Sequence, residues 1–251
     1  MLKTRIMPTL LYKDTTLVKG IGFDSWRRVG SAMQAVKVYN MREVDELVFL
    51  DIAATREGRA PDFDLIDDLA DECFMPLAVG GGICDIDDVR GLLQVGADKI
   101  VVNTATISRP ELIREIAERF GSQCVVVSID AKKSGHEDYE VYVKSGTLRT
   151  GLSPIAAAQR AEAAGAGEIL ITSVDRDGTM QGYDSDLISQ VSKAVSIPVI
   201  ASGGAGSYEH MAQALHAGAS ALAAASMFHF TEQTPREAKL YLREQGFPTR
   251  I

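Results

Sequence analysis

The chain has 251 residues, of which 46% are hydrophobic and 24% charged, and its formal net charge is −8. This acidic balance argues against nucleic acid as a partner, because proteins that bind duplexes present basic surfaces. The scattered cysteines and histidines show no metal-ligand spacing, and no apolar run reaches about 18 residues, so we expect no metal, no cofactor, no membrane span and a cytoplasmic location.

Eight short apolar runs rich in valine, isoleucine and leucine follow one another along the chain. In order they are RIMPTLL (5–11), ELVFLD (46–51), PLAVG (76–80), KIVVN (99–103), CVVVSID (124–130), EILITS (168–173), PVIAS (198–202) and SALAAA (220–225). Their near-continuous apolar character is typical of strands buried on both faces of a parallel sheet. Amphipathic segments lie between them, among them 64–74, 110–120, 154–165 and 185–195. This alternation predicts a (β/α)8 barrel, with a doubly wound sheet as the competing architecture.

An internal repeat favours the barrel. Residues 64–82 align with 186–204 at an offset of 122, which superposes a DLI triplet, a proline and a pair of glycines. A repeat of this length divides the chain into two halves of four βα units, at approximately 1–122 and 123–251. We therefore expect a single (β/α)8 TIM barrel domain over residues 1–251, built from two duplicated half-barrels, and a length of about 250 residues suits that fold.

The repeat also places Leu11, at the end of the first strand, on Asp130, at the end of the fifth. The carboxyl ends of barrel strands line the active-site face, so these two side chains should face each other across the mouth. A carboxylate there is a candidate acid–base catalyst, and a capping or salt-bridged aspartate is the alternative. The long segment after the first strand, which contains Lys19 and Trp26, exceeds the usual βα loop and indicates a lid.

Two glycine-rich turns, GGG (80–82) and SGGAG (202–206), each follow a predicted strand and precede a helix. Glycine lets backbone N–H groups approach an anion, and a helix N-terminus adds positive partial charge. In each half the next strand ends in small hydrogen-bonding residues, Asn103-Thr104 and Ala225-Ser226. The pattern predicts two phosphate sites, with tight turns that bind no ligand as the alternative. A bulky residue at Gly203 should then weaken phosphate binding without unfolding the barrel.

Charged residues stand immediately before four of the predicted strands, at the other end of the barrel. They are Arg5, Glu46, Lys99 and Glu168. Burying them unpaired would be costly, so we expect them to form a ring of ion pairs across the barrel floor. Four solvated charges at strand starts are the alternative.

The sequence resembles the HisF family, the cyclase subunits of imidazole glycerol phosphate synthase, over nearly its full length. The motifs that carry the resemblance are DELVFLDI (45–52), VGGGI (79–83), GADK (96–99), GSQ (121–123), VVSIDAK (126–132), GAGEIL (165–170), DRDGT (175–179) and IASGGAG (200–206). The resemblance implies a barrel that receives ammonia from a HisH-like glutaminase at its N-terminal face. It also implies that the four floor charges are an ammonia gate, and that Asp98 and Gln123 lie at the partner interface.

The same resemblance implies that the mouth binds a small phosphorylated substrate and that Asp130 is catalytic. The residues that match the family's substrate- and phosphate-binding positions are Lys19, Gly82, Asn103, Thr104, Thr172, Asp177, Gly178, Gly203, Gly204 and Ser226.

Leu11 departs from the family, whose cyclase chemistry uses aspartates at the ends of both the first and the fifth strand. Loss of one acid–base group typically costs ~100- to 10,000-fold in rate, and Asp14 is the only nearby replacement in the sequence. The LL run at 10–11, FMPL at 74–77 and the stretch 40–54 resemble a branch of the family, the WbuZ-like glycosyl amidation proteins. That branch implies amidination of a sugar for a surface glycan, with an amidotransferase as a further partner.

Three functions therefore stay open from the sequence. The first is an ammonia-handling synthase subunit in sugar amidination. The second is the cyclase subunit of histidine biosynthesis. The third is a non-catalytic barrel that binds a phosphorylated ligand and activates a glutaminase.

Overall fold

The computed structural model describes residues 3–135 and 138–250. Its strands are β1 (Arg5–Lys13), β2 (Thr16–Ile21), β3 (Asp24–Gly30), β4 (Leu47–Asp51), β5 (Leu77–Gly80), β6 (Lys99–Val102), β7 (Val125–Lys133), β8 (Tyr139–Val143), β9 (Leu148–Arg149), β10 (Glu168–Ser173), β11 (Val199–Ser202) and β12 (Ala221–Ala224). Its α-helices are α1 (Ala32–Met41), α2 (Ala54–Glu57), α3 (Phe63–Asp71), α4 (Ile86–Gln94), α5 (Ala105–Ser108), α6 (Leu112–Phe120), α7 (Pro154–Ala163), α8 (Ser185–Ala194), α9 (Tyr208–His216), α10 (Ser226–Phe230) and α11 (Pro235–Glu244).

Eight parallel strands close on themselves in the order β1, β4, β5, β6, β7, β10, β11 and β12. The closing pairs place Arg5 beside Ala221 and Glu168 beside Val126. Helices connect successive barrel strands on the outside, as right-handed βαβ units require. The predicted (β/α)8 barrel is therefore confirmed, and the doubly wound alternative, which leaves two open sheet edges, is wrong. The division into two half-barrels stays a prediction.

Two antiparallel hairpins continue the barrel wall above its mouth. The first consists of β2 and β3, and it pairs with β1 so that Leu11 lies beside Val18. The second consists of β8 and β9, and it pairs with β7 so that Asp130 lies beside Tyr142. The segment after β1, for which the sequence indicated a lid loop, is thus an ordered ribbon attached to its own barrel strand.

Alternation along the strands separates the barrel interior from the layer that packs against the helices. Met7 and Val48 belong to the cluster of apolar side chains inside the barrel, whereas Ile6, Leu10 and Phe49 belong to the larger core between the strands and the helices. Successive side chains along each strand therefore point alternately into the barrel and toward the helices. No helix within the described residues has both the length and the apolar character needed to cross a membrane.

Candidate active site

A pocket of about 1190 Å³, counting the part that is open to solvent, lies at the carboxyl ends of the barrel strands. Asp130 and all ten residues predicted to bind substrate or phosphate line it. These ten are Lys19, Gly82, Asn103, Thr104, Thr172, Asp177, Gly178, Gly203, Gly204 and Ser226. The structure therefore brings the sequence-predicted residues together at one mouth, while their roles stay predictions.

Leu11 and Asp130 lie on β1 and β7, which stand opposite each other in the barrel, and both line the pocket. Leu11 is buried, so an aliphatic side chain occupies the place where the other strand carries a carboxylate. Asp14 does not compensate for it. Asp14 lies in an exposed turn between β1 and β2, with φ of 57°, and it is not among the residues that line the pocket. The only nearby acid in the sequence therefore lies outside the pocket.

The Asp130 carboxyl group is buried at the bottom of the mouth, and its pKa is raised to about 7. Burial is the largest cause, because a low-dielectric environment disfavours the charged form, and the negative charge of Asp177 adds to it. Asn103 donates from Nδ2 to Asp130 Oδ2 at 3.0 Å and so opposes the shift. An acid with this pKa can both donate and accept a proton near neutral pH.

Lys19 and Asp177 form a buried ion pair at the edge of the pocket, with 2.5 Å between Lys19 Nζ and Asp177 Oδ2. Lys19 lies on β2 and Asp177 follows β10, and the backbone N–H of Gly22 donates to the carbonyl of Asp177 at 2.9 Å. These contacts join the first hairpin to the loop after β10. An ammonium group has three donors, so the pair leaves Lys19 able to bind an anionic ligand as well.

The second hairpin contacts the opposite rim. The backbone N–H of Lys144 donates to Thr104 Oγ1 at 3.0 Å, and the Ser145 hydroxyl donates to the carbonyl of Ile52 at 2.9 Å. Thr104 follows β6 and Ile52 follows β4, so the hairpin spans from its own strand toward the far wall of the mouth. Both hairpins thereby restrict the entrance to the pocket.

The two glycine turns adopt left-handed backbone conformations, with φ of 76° at Gly82 and 88° at Gly203. A Cβ atom at Gly203 would lie 2.5 Å from the carbonyl oxygen of Ser173, so the turn requires glycine for backbone packing as well as for any ligand. Replacing Gly203 should therefore strain the turn, and weaker phosphate binding without unfolding of the barrel stays a prediction. On the other side, the backbone N–H of Gly82 donates to Thr55 Oγ1 at 3.1 Å.

Sequence reasoning missed several polar residues of the pocket, among them Thr9, Asp51, Thr55 and Ser145. Asp51 could have been found, since it ends its strand as Asp130 does. Its carboxylate has a structural role: Oδ1 accepts from the backbone N–H groups of Ala53 and Ala54, at 2.9 and 3.0 Å. The other three follow no pattern that distinguishes them from ordinary strand and loop residues.

At the opposite end of the barrel, the four charged side chains at the strand starts form a closed ring. Arg5 contacts Glu46 at 2.7 Å and Glu168 at 2.8 Å, and Lys99 contacts the same two carboxylates at 2.9 and 3.2 Å. The side chains are 3–17% exposed, so water screens them weakly. Burial lowers the pKa of Arg5, and the two carboxylates more than offset it, so that the pKa is raised overall. The expected ring is present, and its role as a gate stays a prediction.

Asp98 and Gln123, predicted at a partner interface, stand just before β6 and β7 and are both exposed. Asp98 Oδ2 accepts from the backbone N–H of Leu77 at 2.8 Å, and Gln123 Nε2 donates to the carbonyl of Phe120 at 3.1 Å. Their side chains thus lie on the same face as the ring of charges.

The closed barrel, with a pocket at the carboxyl ends of its strands, defines a (β/α)8-barrel enzyme subunit, because active sites of this fold lie at that face. The family model described as "Histidine biosynthesis protein" matches residues 5–234. Over 250 residues the chain is 46% identical to the imidazole glycerol phosphate synthase subunit HisF of Endomicrobium trichonymphae, covering 100% of this chain and 96% of that protein. The chain therefore belongs to the HisF family and is a HisF-like synthase subunit.

Proposed function

We propose that this HisF-like subunit accepts ammonia from a partner glutaminase at its floor, adds it to a phosphorylated substrate at its mouth, and serves in the amidination of a sugar for a surface glycan. The observation that carries the proposal is the pair Leu11 and Asp130. The pocket keeps its polar residues and the buried carboxyl group of Asp130 at the end of β7, but β1 on the opposite side offers only an aliphatic side chain.

One titratable group suffices for the addition of ammonia to an electrophilic carbon. When the C–N bond forms, the displaced electron pair moves to the substrate oxygen, and the new ammonium nitrogen loses one proton to a base. Asp130, whose pKa is about 7, can take that proton and pass it to the oxygen, and a second transfer of the same kind from nitrogen to oxygen lets the oxygen leave as water while the C=N bond forms. Closure of the imidazole ring in the family's cyclase reaction calls for a second acid–base group, and the Leu11 side chain has no proton to exchange.

The floor supports ammonia delivery from a separate protein. Burying four ionised groups costs more free energy than burying apolar side chains, because the charges must be removed from water. A charged ring at the barrel floor is therefore unexpected unless something polar must pass or dock there. A second cavity on this side is lined by Arg42, Arg236 and Arg250 together with Phe74, whose side chain is 85% exposed. An exposed aromatic residue with arginines around it is the composition of a protein–protein contact.

The cyclase of histidine biosynthesis is the second candidate, and the identity of 46% to a HisF protein favours it. The two functions differ in whether the reaction needs an acid–base group at position 11, which Leu11 does not supply. The protein should be assayed with ammonium chloride and the histidine-pathway substrate, beside an ordinary HisF cyclase. We expect turnover reduced by ~100- to 10,000-fold, the usual cost of losing one acid–base group.

Leu11→Asp should raise that residual turnover, and Leu11→Asn, which is polar but cannot exchange a proton near neutral pH, should not. Turnover of the unaltered protein close to that of the ordinary cyclase would instead establish the histidine function and overturn the proposal.

Delivery of ammonia through the floor has its own test in the reconstituted complex with the glutaminase. Lys99→Ala opens the ring, so glutamine-dependent activity should fall relative to ammonia-dependent activity. Arg90→Ala, which removes an exposed ion pair on α4 with Asp87, is the matched control and should leave the ratio unchanged. An equal loss of both activities in Lys99→Ala would contradict delivery through the floor.

A further inference from the structure

One wall of the mouth pocket is apolar, and its aromatic residues have no part in the ammonia chemistry. Leu11 on β1, Phe23 in the turn between β2 and β3, and Trp26 on β3 all line the pocket. Since β1 pairs with β2 and β2 pairs with β3, the three side chains belong to one ribbon. Phe23 and Trp26 are only half-buried. Aromatic surface that stays in contact with water inside a concave pocket is suited to bind a ligand.

The ribbon fixes the position of Trp26. A Cβ atom at Gly20 would lie 3.1 Å from Trp26 Cε3, so the indole ring lies beside β2 at a residue that has no side chain. The adjacent residue Lys19 forms the buried ion pair with Asp177, which attaches this part of β2 to the loop after β10. The indole ring is therefore backed by ordered structure before a ligand arrives, and binding to it costs little side-chain entropy.

The wall across the pocket is polar. Asn103 follows β6, Ser128 and Asp130 lie on β7, and all three line the pocket. Because β7 stands opposite β1 in the barrel, these amide, hydroxyl and carboxyl groups lie across the pocket from Leu11. A ligand that fits between the two walls needs an apolar face on one side and hydrogen-bonding groups on the other.

A pyranose ring has both features. Its C–H groups form a flat apolar patch that packs on the electron-rich face of an indole, and its hydroxyl groups project from the rim, where they can donate to a carboxylate or accept from an amide. A planar heteroaromatic ring also stacks on tryptophan, but it brings few hydroxyl groups to the polar wall. An open-chain sugar has the hydroxyl groups but no flat apolar face.

We propose that Trp26 is the platform on which the ring of a pyranose phosphate packs, and that it determines specificity for a cyclic sugar over an open chain. This inference rests on the proposed function, because it names the substrate class that the mouth pocket takes. Trp26 has no proton to exchange in the reaction, so its contribution is to binding and orientation.

The platform can be tested by equilibrium binding to the isolated barrel. Trp26 is the only tryptophan of the chain, so tryptophan fluorescence reports on this position alone. The probes are glucose 6-phosphate and glucitol 6-phosphate, which carries the same phosphate on an open chain. We expect glucose 6-phosphate to change the tryptophan emission and, in calorimetric titration, to bind roughly three- to tenfold more tightly than glucitol 6-phosphate. Trp26→Leu should abolish most of this ring preference, and Trp26→Phe, which keeps an aromatic face, should retain much of it.

Phe230→Leu is the matched control. Phe230 is an exposed aromatic residue beside the same hairpin, with the Arg27 guanidinium over its ring, and it is not among the residues that line the pocket. This variant should keep the full ring preference. Inorganic phosphate, which has no ring, should bind Trp26→Leu as tightly as it binds the unaltered protein, which separates loss of the platform from loss of the fold.

The proposal is overturned if the unaltered protein binds glucose 6-phosphate no more tightly than glucitol 6-phosphate, or if Trp26→Leu keeps the preference. A loss of affinity in Trp26→Leu for adenosine monophosphate alone would also overturn it and would assign the platform to a heteroaromatic ring. These measurements involve no ammonia, no glutaminase and no turnover. The platform could therefore hold while ammonia addition fails, or the reverse.

Discussion

Replacing Asp130 by asparagine should stabilise the protein at neutral and alkaline pH. In the folded protein the pKa of Asp130 is raised from 3.8 to about 7, chiefly by burial and then by the charge of Asp177. Ionising a buried carboxyl group therefore opposes folding. A pKa difference of about three corresponds to about 4 kcal/mol between the protonated and the ionised form. The asparagine side chain would keep an oxygen that accepts from Asn103, so the replacement removes the charge and little else.

The effect has a defined pH window. The folded state holds the Asp130 proton up to about pH 7, whereas the unfolded chain releases it near its ordinary pKa of 3.8. The contribution of this proton to stability is complete below about pH 4 and is lost as the pH rises to about 7. Relative to the unaltered protein, Asp130→Asn should thus be close to neutral at about pH 4 and more stable by up to about 4 kcal/mol at about pH 8.

Urea unfolding across this pH range measures the difference in the free energy of unfolding between Asp130→Asn and the unaltered protein. The comparison requires that this free energy falls with urea concentration at the same rate in both proteins. Asp14→Asn is the control, because Asp14 lies in an exposed turn and tolerates asparagine at its positive φ. Its stability relative to the unaltered protein should not change across the window. A difference between Asp130→Asn and the unaltered protein that stays constant from about pH 4 to 8 would refute the argument that burial keeps this carboxyl group protonated.

Three further predictions concern stability and phosphate binding. Lys239→Met should lower the free energy of unfolding in urea by about 3 to 5 kcal/mol, because it leaves the buried Asp45 carboxylate without the ammonium group that now lies 3.0 Å away. The same change at the exposed Lys37 is the control and should have little effect. Gly203→Ala should lower the unfolding free energy by more than about 1 kcal/mol, and an unchanged value would mean that the turn relaxes easily. Ser226→Asp should weaken binding of inorganic phosphate at least roughly tenfold in calorimetric titration, because like charges repel, and unchanged affinity would count against the site beside β12.

The sequence by itself determined the architecture and those pocket residues that stand at the ends of the apolar runs. Apolar runs at regular intervals predict strands whose backbone groups must pair with neighbours, and the intervening amphipathic segments are long enough to cross back over a parallel sheet. The carboxyl ends of parallel strands lie together, so residues at or just after the ends of the runs, such as Asn103 and Ser226, had to meet at one mouth. Residues at the starts of the runs, such as Arg5 and Glu46, had to meet at the other end.

Only the tertiary structure decided how these residues act on one another. The pKa of Asp130 depends on burial and on Asp177, which is distant in the chain. The hairpin after β1, which carries Lys19 to Asp177, depends on pairing with β1 rather than on local propensity. The pairing of Thr9 with Val48 depends on the register between β1 and β4, which the sequence of neither strand contains. Electrostatic shifts and register arise from contacts between distant segments, and a local sequence pattern does not contain them.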